Sequence, residues 1–279
     1  MSARSIRRAS ERRERSASRR RAVRAGAATA GATLLFAGSA EAATFTVNST
    51  NDPGVGSCDA VECTLREAIV ASNANPGADT IAFNIPGPPP HSIKPVTPLP
   101  AATGQVAIDG TTEPDFAGSP IVELDGSLAG PVGSGLEING GNSVVRGLVI
   151  NRFAPAANQQ GGGVYIRTGG NNLIEGNYIG TDVTGTLPLG NSSGVWIGGS
   201  GGNRVGGTTL AARNIIADNK AGNGAGIWTV NPNNVIQGNY IGTDVTGTVA
   251  LPNGFGLVIT GSNNLIGGTT AGARNLISG

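Results

Sequence analysis

Asn172-Leu173-Ile174-Glu175-Gly176-Asn177-Tyr178-Ile179-Gly180-Thr181-Asp182-Val183-Thr184-Gly185-Thr186 returns as Asn234-Val235-Ile236-Gln237-Gly238-Asn239-Tyr240-Ile241-Gly242-Thr243-Asp244-Val245-Thr246-Gly247-Thr248, an offset of 62 residues. Within this long period runs a shorter one. Segments beginning Gly135-Leu136-Glu137-Ile138, Gly163-Val164-Tyr165-Ile166, Gly194-Val195-Trp196-Ile197, Gly226-Ile227-Trp228-Thr229 and Gly256-Leu257-Val258-Ile259 are spaced by 28, 31, 32 and 30 residues. A second column, Val145, Ile174, Val205, Ile236 and Ile266, is spaced by 29, 31, 31 and 30. Two independent columns with one period imply one structural unit per period of about thirty residues. Each unit has room for two or three short strands separated by Gly/Asn turns. Such strands stack in parallel on their equivalents in the next unit and bury their alternate apolar positions in a narrow core. The expected fold is therefore all-β, a parallel β-helix.

The rest of the composition fits that geometry. Gly147, Gly176, Gly207, Gly238 and Gly268 form a further column, expected where every unit bends sharply at one place. Of 25 Asn, 20 lie from Asn139 onward, and they suit left-handed turn positions and amide ladders between units. Alternate units carry the Asn-Tyr-Ile-Gly-Thr-Asp form and an Ile/Val-Gly-Gly form ending in Arg213-Asn214 or Arg274-Asn275. With 46 Gly and 37 charged residues in 279, a long helical protein is excluded, since each interior Gly costs a helix about 1 kcal/mol. Disorder is disfavoured by 38% hydrophobic residues and a net charge of +1. A propeller would need about four strands in 40–45 residues. A nonapeptide calcium roll needs a nine-residue ladder of Asp, and Asp182 and Asp244 stand 62 apart, where each reads as a turn cap.

The near-neutral net charge averages two different segments. Residues 1–24 hold ten Arg, a weakly apolar run follows from Ala25 to Ala37, and Ala40-Glu41-Ala42 has the form of a cleavage site. Residues 1–42 thus read as an export signal, by the twin-arginine or the general secretion route, with Ser18-Arg19-Arg20-Arg21 favouring the former. Removing it takes ten of 19 basic and three of 18 acidic residues, which leaves nine against fifteen, a net of −6. The mature chain then lacks the basic patch that nucleic acid requires and has no apolar stretch long enough to span a membrane. Secretion or display on the cell surface is expected. In that setting Cys58 and Cys63, the only cysteines, read as one small-loop disulfide; a metal site would need more ligands than two thiols and the single His91.

After the second cysteine, Thr64-Leu65-Arg66-Glu67 has the capping-box form and predicts an amphipathic helix over 64–74, stopped by Asn75-Pro76-Gly77. The run Cys63-Thr64-Leu65-Arg66-Glu67-Ala68-Ile69, continued by Ala71-Ser72-Asn73 and Gly77-Ala78-Asp79-Thr80-Ile81, resembles the Cys-Ser-Leu-Arg-Glu-Ala motif near the N-terminus of bacterial exported right-handed parallel β-helix proteins. Thr64 for Ser keeps the hydroxyl cap. The resemblance implies a right-handed, pectate-lyase-like solenoid whose first coil is covered by a short capping helix. It carries no chemistry of its own. The expected layout is an N-terminal cap over 43–85, first β-helix turns over 86–134, with strands near 80–85, 92–96, 105–109 and 121–125, and repeats of about thirty residues over 135–279. Asn275-Leu276-Ile277-Ser278-Gly279 falls inside a repeat, so a further covering segment is expected beyond it.

For function, the middle residue of each Gly-Val-Trp-Ile segment points outward. Glu137, Tyr165, Trp196, Trp228 and Val258 form one such column, and Tyr165, Trp196 and Trp228 make a candidate platform for sugar rings. No catalytic residues, metal ligands or cofactor site are assigned. Asp109-Gly110 and Asp125-Gly126 could supply a glycosidase acid and base, but Asp-Gly after a strand is ordinary turn chemistry. The expected role is structural, adhesive or glycan-binding, with a polysaccharide or another surface component as partner. The alternative is a polysaccharide lyase or glycoside hydrolase of the β-helix type, a fold that alone does not decide activity.

Overall fold

The computed structural model describes residues 41–278 apart from 55, 132, 155–160, 222 and 223. The proposed export signal lies almost wholly outside the described residues. The chain divides into Met1–Gly38 and Ser39–Gly279, and the fold of the second unit is described here.

The described residues are mostly β, with one α-helix and three sheets in which all strand pairings are parallel. The first sheet holds β1 (Thr44–Val47), β2 (Ala78–Phe83), β4 (Gln105–Asp109), β7 (Val144–Arg146), β10 (Leu173–Glu175), β13 (Arg204–Gly206), β16 (Val235–Gln237) and β19 (Leu265–Ile266). The second holds β3 (His91–Ile93), β5 (Val122–Asp125), β8 (Leu148–Asn151), β11 (Tyr178–Ile179), β14 (Ile215–Ile216), β17 (Tyr240–Ile241) and β20 (Leu276–Ile277). The third holds β6 (Leu136–Ile138), β9 (Val164–Ile166), β12 (Val195–Ile197), β15 (Ala225–Thr229) and β18 (Phe255–Ile259). From Leu136 onward each unit of about thirty residues adds one strand to the third sheet, then one to the first and one to the second. Val145, Ile174, Val205, Ile236 and Ile266 are register partners in sequence, as the period requires.

The core is a set of aliphatic columns along the stack. Val164, Ile166, Ile174, Ile179, Val195, Ile197, Val205, Ile216, Ile227, Ile236 and Ile241 are all fully buried, each a burial worth about 1.5–3 kcal/mol. Thr229 takes the place of Ile in the Ile138–Ile166–Ile197 column, and its buried hydroxyl is satisfied by the Asn234 amide at 3.1 Å.

Three asparagine ladders close the corners. At the entry to the first sheet, the Asn172 N–H donates to Asn203 Oδ1 (3.0 Å), Asn203 to Asn234 (3.0 Å) and Asn234 to Asn264 (2.8 Å). At the entry to the second, Asn177 donates to Asn214 (3.0 Å), Asn214 to Asn239 (3.3 Å) and Asn239 to Asn275 (3.0 Å). Ahead of the third, Asn191 donates to Asn219 (3.1 Å) and Asn219 to Asn253 (2.9 Å). Corner N–H groups cannot join a strand ladder, and a carboxamide from the next unit meets a need that would otherwise cost about 1–3 kcal/mol each.

The glycine column differs from expectation in one respect. Gly147, Gly176 and Gly238 have φ of 68°, 64° and 70°, but in the alternate units the left-handed residue is Gly206 (80°) or Gly267 (73°), not Gly207 or Gly268. Those units carry a short 3-10 turn, Leu210–Ala212 or Ala271–Ala273, between their first-sheet and second-sheet strands. The longer connection turns one residue earlier, and two adjacent glycines leave either position open to it.

At the N-terminal end, α1 (Leu65–Ala74) places Leu65, Ala68 and Ile69 in the core beside Val47 and Ile81. Thr64 caps it: its Oγ1 accepts the Glu67 N–H and its N–H donates to Glu67 Oε2 at 2.8 Å. Arg66 is a staple, with Nε and Nη2 on the two Asp52 carboxylate oxygens (2.6 and 2.9 Å) and further bonds to the carbonyls of Thr97 and Pro98. Cys58 and Cys63 are bonded as a disulfide. His91, expected in a proline-rich loop, opens β3 and is buried, with Nε2 3.7 Å from Glu113 Oε1.

Candidate functional site

The outward side of the third sheet carries a column of aromatic residues. Glu137 pairs in register with Tyr165, Tyr165 with Trp196, Trp196 with Trp228 and Trp228 with Val258. The structure therefore brings together all three aromatics of the expected platform. Parallel strands repeat every 4.7–4.9 Å, and the Trp196 and Trp228 ring centroids lie 4.8 Å apart at an interplanar angle of 5°. Rings that close and parallel share a face. Tyr165 meets Trp196 edge-on, at 6.5 Å and 78°.

These angles decide which surface remains. One face of each indole is used against the other, and Tyr165 and Trp196 meet face to edge. Val258 follows Trp228 in register on the next strand. Both indoles are partly exposed, whereas Tyr165 is 8% exposed. Burial pushes the Tyr165 hydroxyl above its ordinary pKa; the Arg167 charge opposes this and Glu137 adds to it. Arg167 itself reaches Glu137, Nη1 to Oε1, at 3.3 Å. Gly198 follows β12, and a Cβ there would stand 3.3 Å from Tyr165 Cε2 and 3.5 Å from Trp196 Nε1, so glycine leaves the two rings their space. The site offers two stacked, partly exposed indoles, of which Trp228 has its Nε1 buried, and an adjacent ion pair. Its chemistry is stacking on the C–H face of a ring.

The carboxylates are committed elsewhere. Asp109 and Asp125 cap short 3-10 turns, accepting from Thr111 N and Ser127 N, and pair with Arg146 and Arg152. Burial raises both pKa values, but these bonds outweigh it and hold both carboxyls below the usual range. A general acid needs the opposite shift. Asp182 closes its own loop, with Oδ1 accepting from Thr186 N (3.1 Å) and Leu187 N (3.0 Å) and both oxygens held by the Thr184 hydroxyl. Asp244 does the same with Thr248, Val249 and Thr246. In each, the bonds from the loop overcome burial and lower the carboxyl pKa. Both are turn caps.

One cluster escapes a reading by strand segments alone. Asp109, Arg146 and Glu175 are register partners on the outward side of the first sheet. The signal was present, since each directly follows a member of the Ile108–Val145–Ile174 column.

No family model, curated protein or solved structure matches the chain. Among the described residues no helix is long and apolar enough to cross a membrane.

Proposed function

We propose that this chain is a right-handed parallel β-helix of the exported, pectate-lyase-like kind, acting outside the cell or at its surface as a structural or adhesive solenoid that binds glycans. Three parallel sheets fed in rotation by successive units support the solenoid. The disulfide, together with the basic leader and its small-residue cleavage site, supports export. A net charge of −6 beyond residue 42 speaks for a partner other than nucleic acid.

The observation that carries the glycan reading is the stack of two partly exposed indoles, Trp196 and Trp228, on the outward side of the third sheet. Probing a glycan array with the full chain and with Trp228→Ala tests this: selective binding by the first and a loss of about tenfold or more in the second is expected. Equal array signals from the two folded proteins would remove the indole stack from the function.

A further inference from the structure

A groove of about 320 Å³ lies at the corner between the first and second sheets, away from the tryptophans. Its lining includes Phe116, Tyr178 and Leu210 together with Arg146, Glu175 and Arg213. The volume falls at the lower end of the range for small-molecule pockets, about 300–1,000 Å³.

Its charged groups are held from behind and left open in front. Arg146 gives Nη2 to the buried Asp109, and its side chain is 44% exposed. Arg213 is fixed by its Nε bond to the Gly238 carbonyl (3.0 Å) and by lying 4.0 Å over the Tyr240 ring. Both terminal nitrogens of Arg213, and Nε and Nη1 of Arg146, have no hydrogen-bond partner among the described residues. Glu175 is tethered on one oxygen by Arg204 at 3.4 Å, which leaves Oε1 without a donor. Leu210 is 77% exposed, a large apolar side chain on the rim of a polar groove.

Arg146 is paired with Asp109, whereas Arg213 has no carboxylate partner among the described residues and presents a planar donor edge that suits an oxyanion. The Glu175 carboxylate, held on one oxygen by Arg204, suits a hydroxyl donor on the other, and Phe116, Tyr178 and Leu210 in the lining suit an apolar ring face. The geometry points to an anionic sugar, carboxylated or sulfated, as the occupant of this groove: its acid group on Arg213, a hydroxyl on Glu175, its C–H face against Leu210. The site stands apart from the indole stack and does not rest on it.

The test is calorimetric titration of the full chain with a uronic acid oligomer, a sulfated oligosaccharide, an uncharged oligosaccharide of the same length, and acetate. At least one anionic oligomer is expected to bind about tenfold or more tighter than both the uncharged oligomer and acetate. Arg213→Gln and Leu210→Asp should each weaken it about tenfold, while Val61→Thr, an exposed position outside the groove lining, leaves it unchanged. Melting curves establish that the variants are folded, and Leu210→Asp, on an exposed rim, supplies the test if Arg213→Gln is unstable. The proposal is overturned if neither anionic oligomer binds, if binding survives both groove variants, or if Val61→Thr weakens it as much as they do.

Discussion

The two sides of the third sheet share the same strands and obey different rules. On the inward side, Val164, Val195 and Ile227 form one column and Ile138, Ile166 and Ile197 another, all at most 1% exposed. On the outward side, between those columns, stand Glu137, Tyr165, Trp196, Trp228 and Val258. The inward residues are nearly interchangeable because each must fill one fixed cross-section. The outward residues change in charge, size and ring chemistry from one unit to the next. Strand alternation thus separates the residues that fill the core from those that face outward within a single tripeptide.

That contrast can be broken by paired substitutions on one strand. Ile197→Ala should cost about 2–5 kcal/mol in denaturant unfolding, because the cavity is bounded by neighbouring units that cannot collapse into it. Asn203→Ala removes the acceptor of the Asn172 N–H and amide and should cost about 1–3 kcal/mol. Thr64→Ala, which uncaps α1, should cost about 0.5–2 kcal/mol. Trp196→Ala, adjacent to Ile197, should cost about 1 kcal/mol or less while reducing glycan binding. If Trp196→Ala destabilised as much as Ile197→Ala, the division between the two faces would fail.

Acid provides a test of the corners and loops. Asp52, Asp109, Asp125 and Asp182 have folded-state pKa values below their unfolded ones. A lowered pKa contributes stability that is complete above the ordinary carboxylate range and is lost as pH falls through the folded value. The melting temperature should therefore hold steady from neutral pH to about 5 and decline below about 4. An Asp125→Asn variant should show a shallower decline, and an unchanged slope would mean that Arg152 and Lys94 gain nothing from that charge.

The period was legible because the core is one-dimensional: the same cross-section recurs, so Val145, Ile174, Val205 and Ile236 must recur with it. The capping helix was legible for a local reason, since Thr64 and Glu67 satisfy each other across a single turn. The corner glycine was not, because in Val205-Gly206-Gly207 either glycine can turn left-handed and the choice depends on the Leu210–Ala212 turn. Nor was the unequal exposure of the three aromatics. Alternation places Tyr165, Trp196 and Trp228 on one side, but the angle at which rings meet depends on rotamers that sequence spacing does not fix. The groove was hidden because its lining residues, such as Arg146 and Arg213, lie 67 residues apart and come to border one groove only through the stacking of units.

The loops that follow β11 and β17 touch one another, the Val245 N–H donating to the Gly185 carbonyl at 2.9 Å. These loops belong to units two apart, so the structure between them is bridged from outside. A gene of this kind can grow or shrink by duplication and deletion, and the bridge sets the size of the step. Loss of one unit would bring a looped form next to a form with a 3-10 turn out of sequence and leave a loop without its neighbour. Gain of two adds a looped form two units on and repeats the contact. The 62-residue repeat is thus the smallest addition that lineages of this protein should tolerate without repair elsewhere.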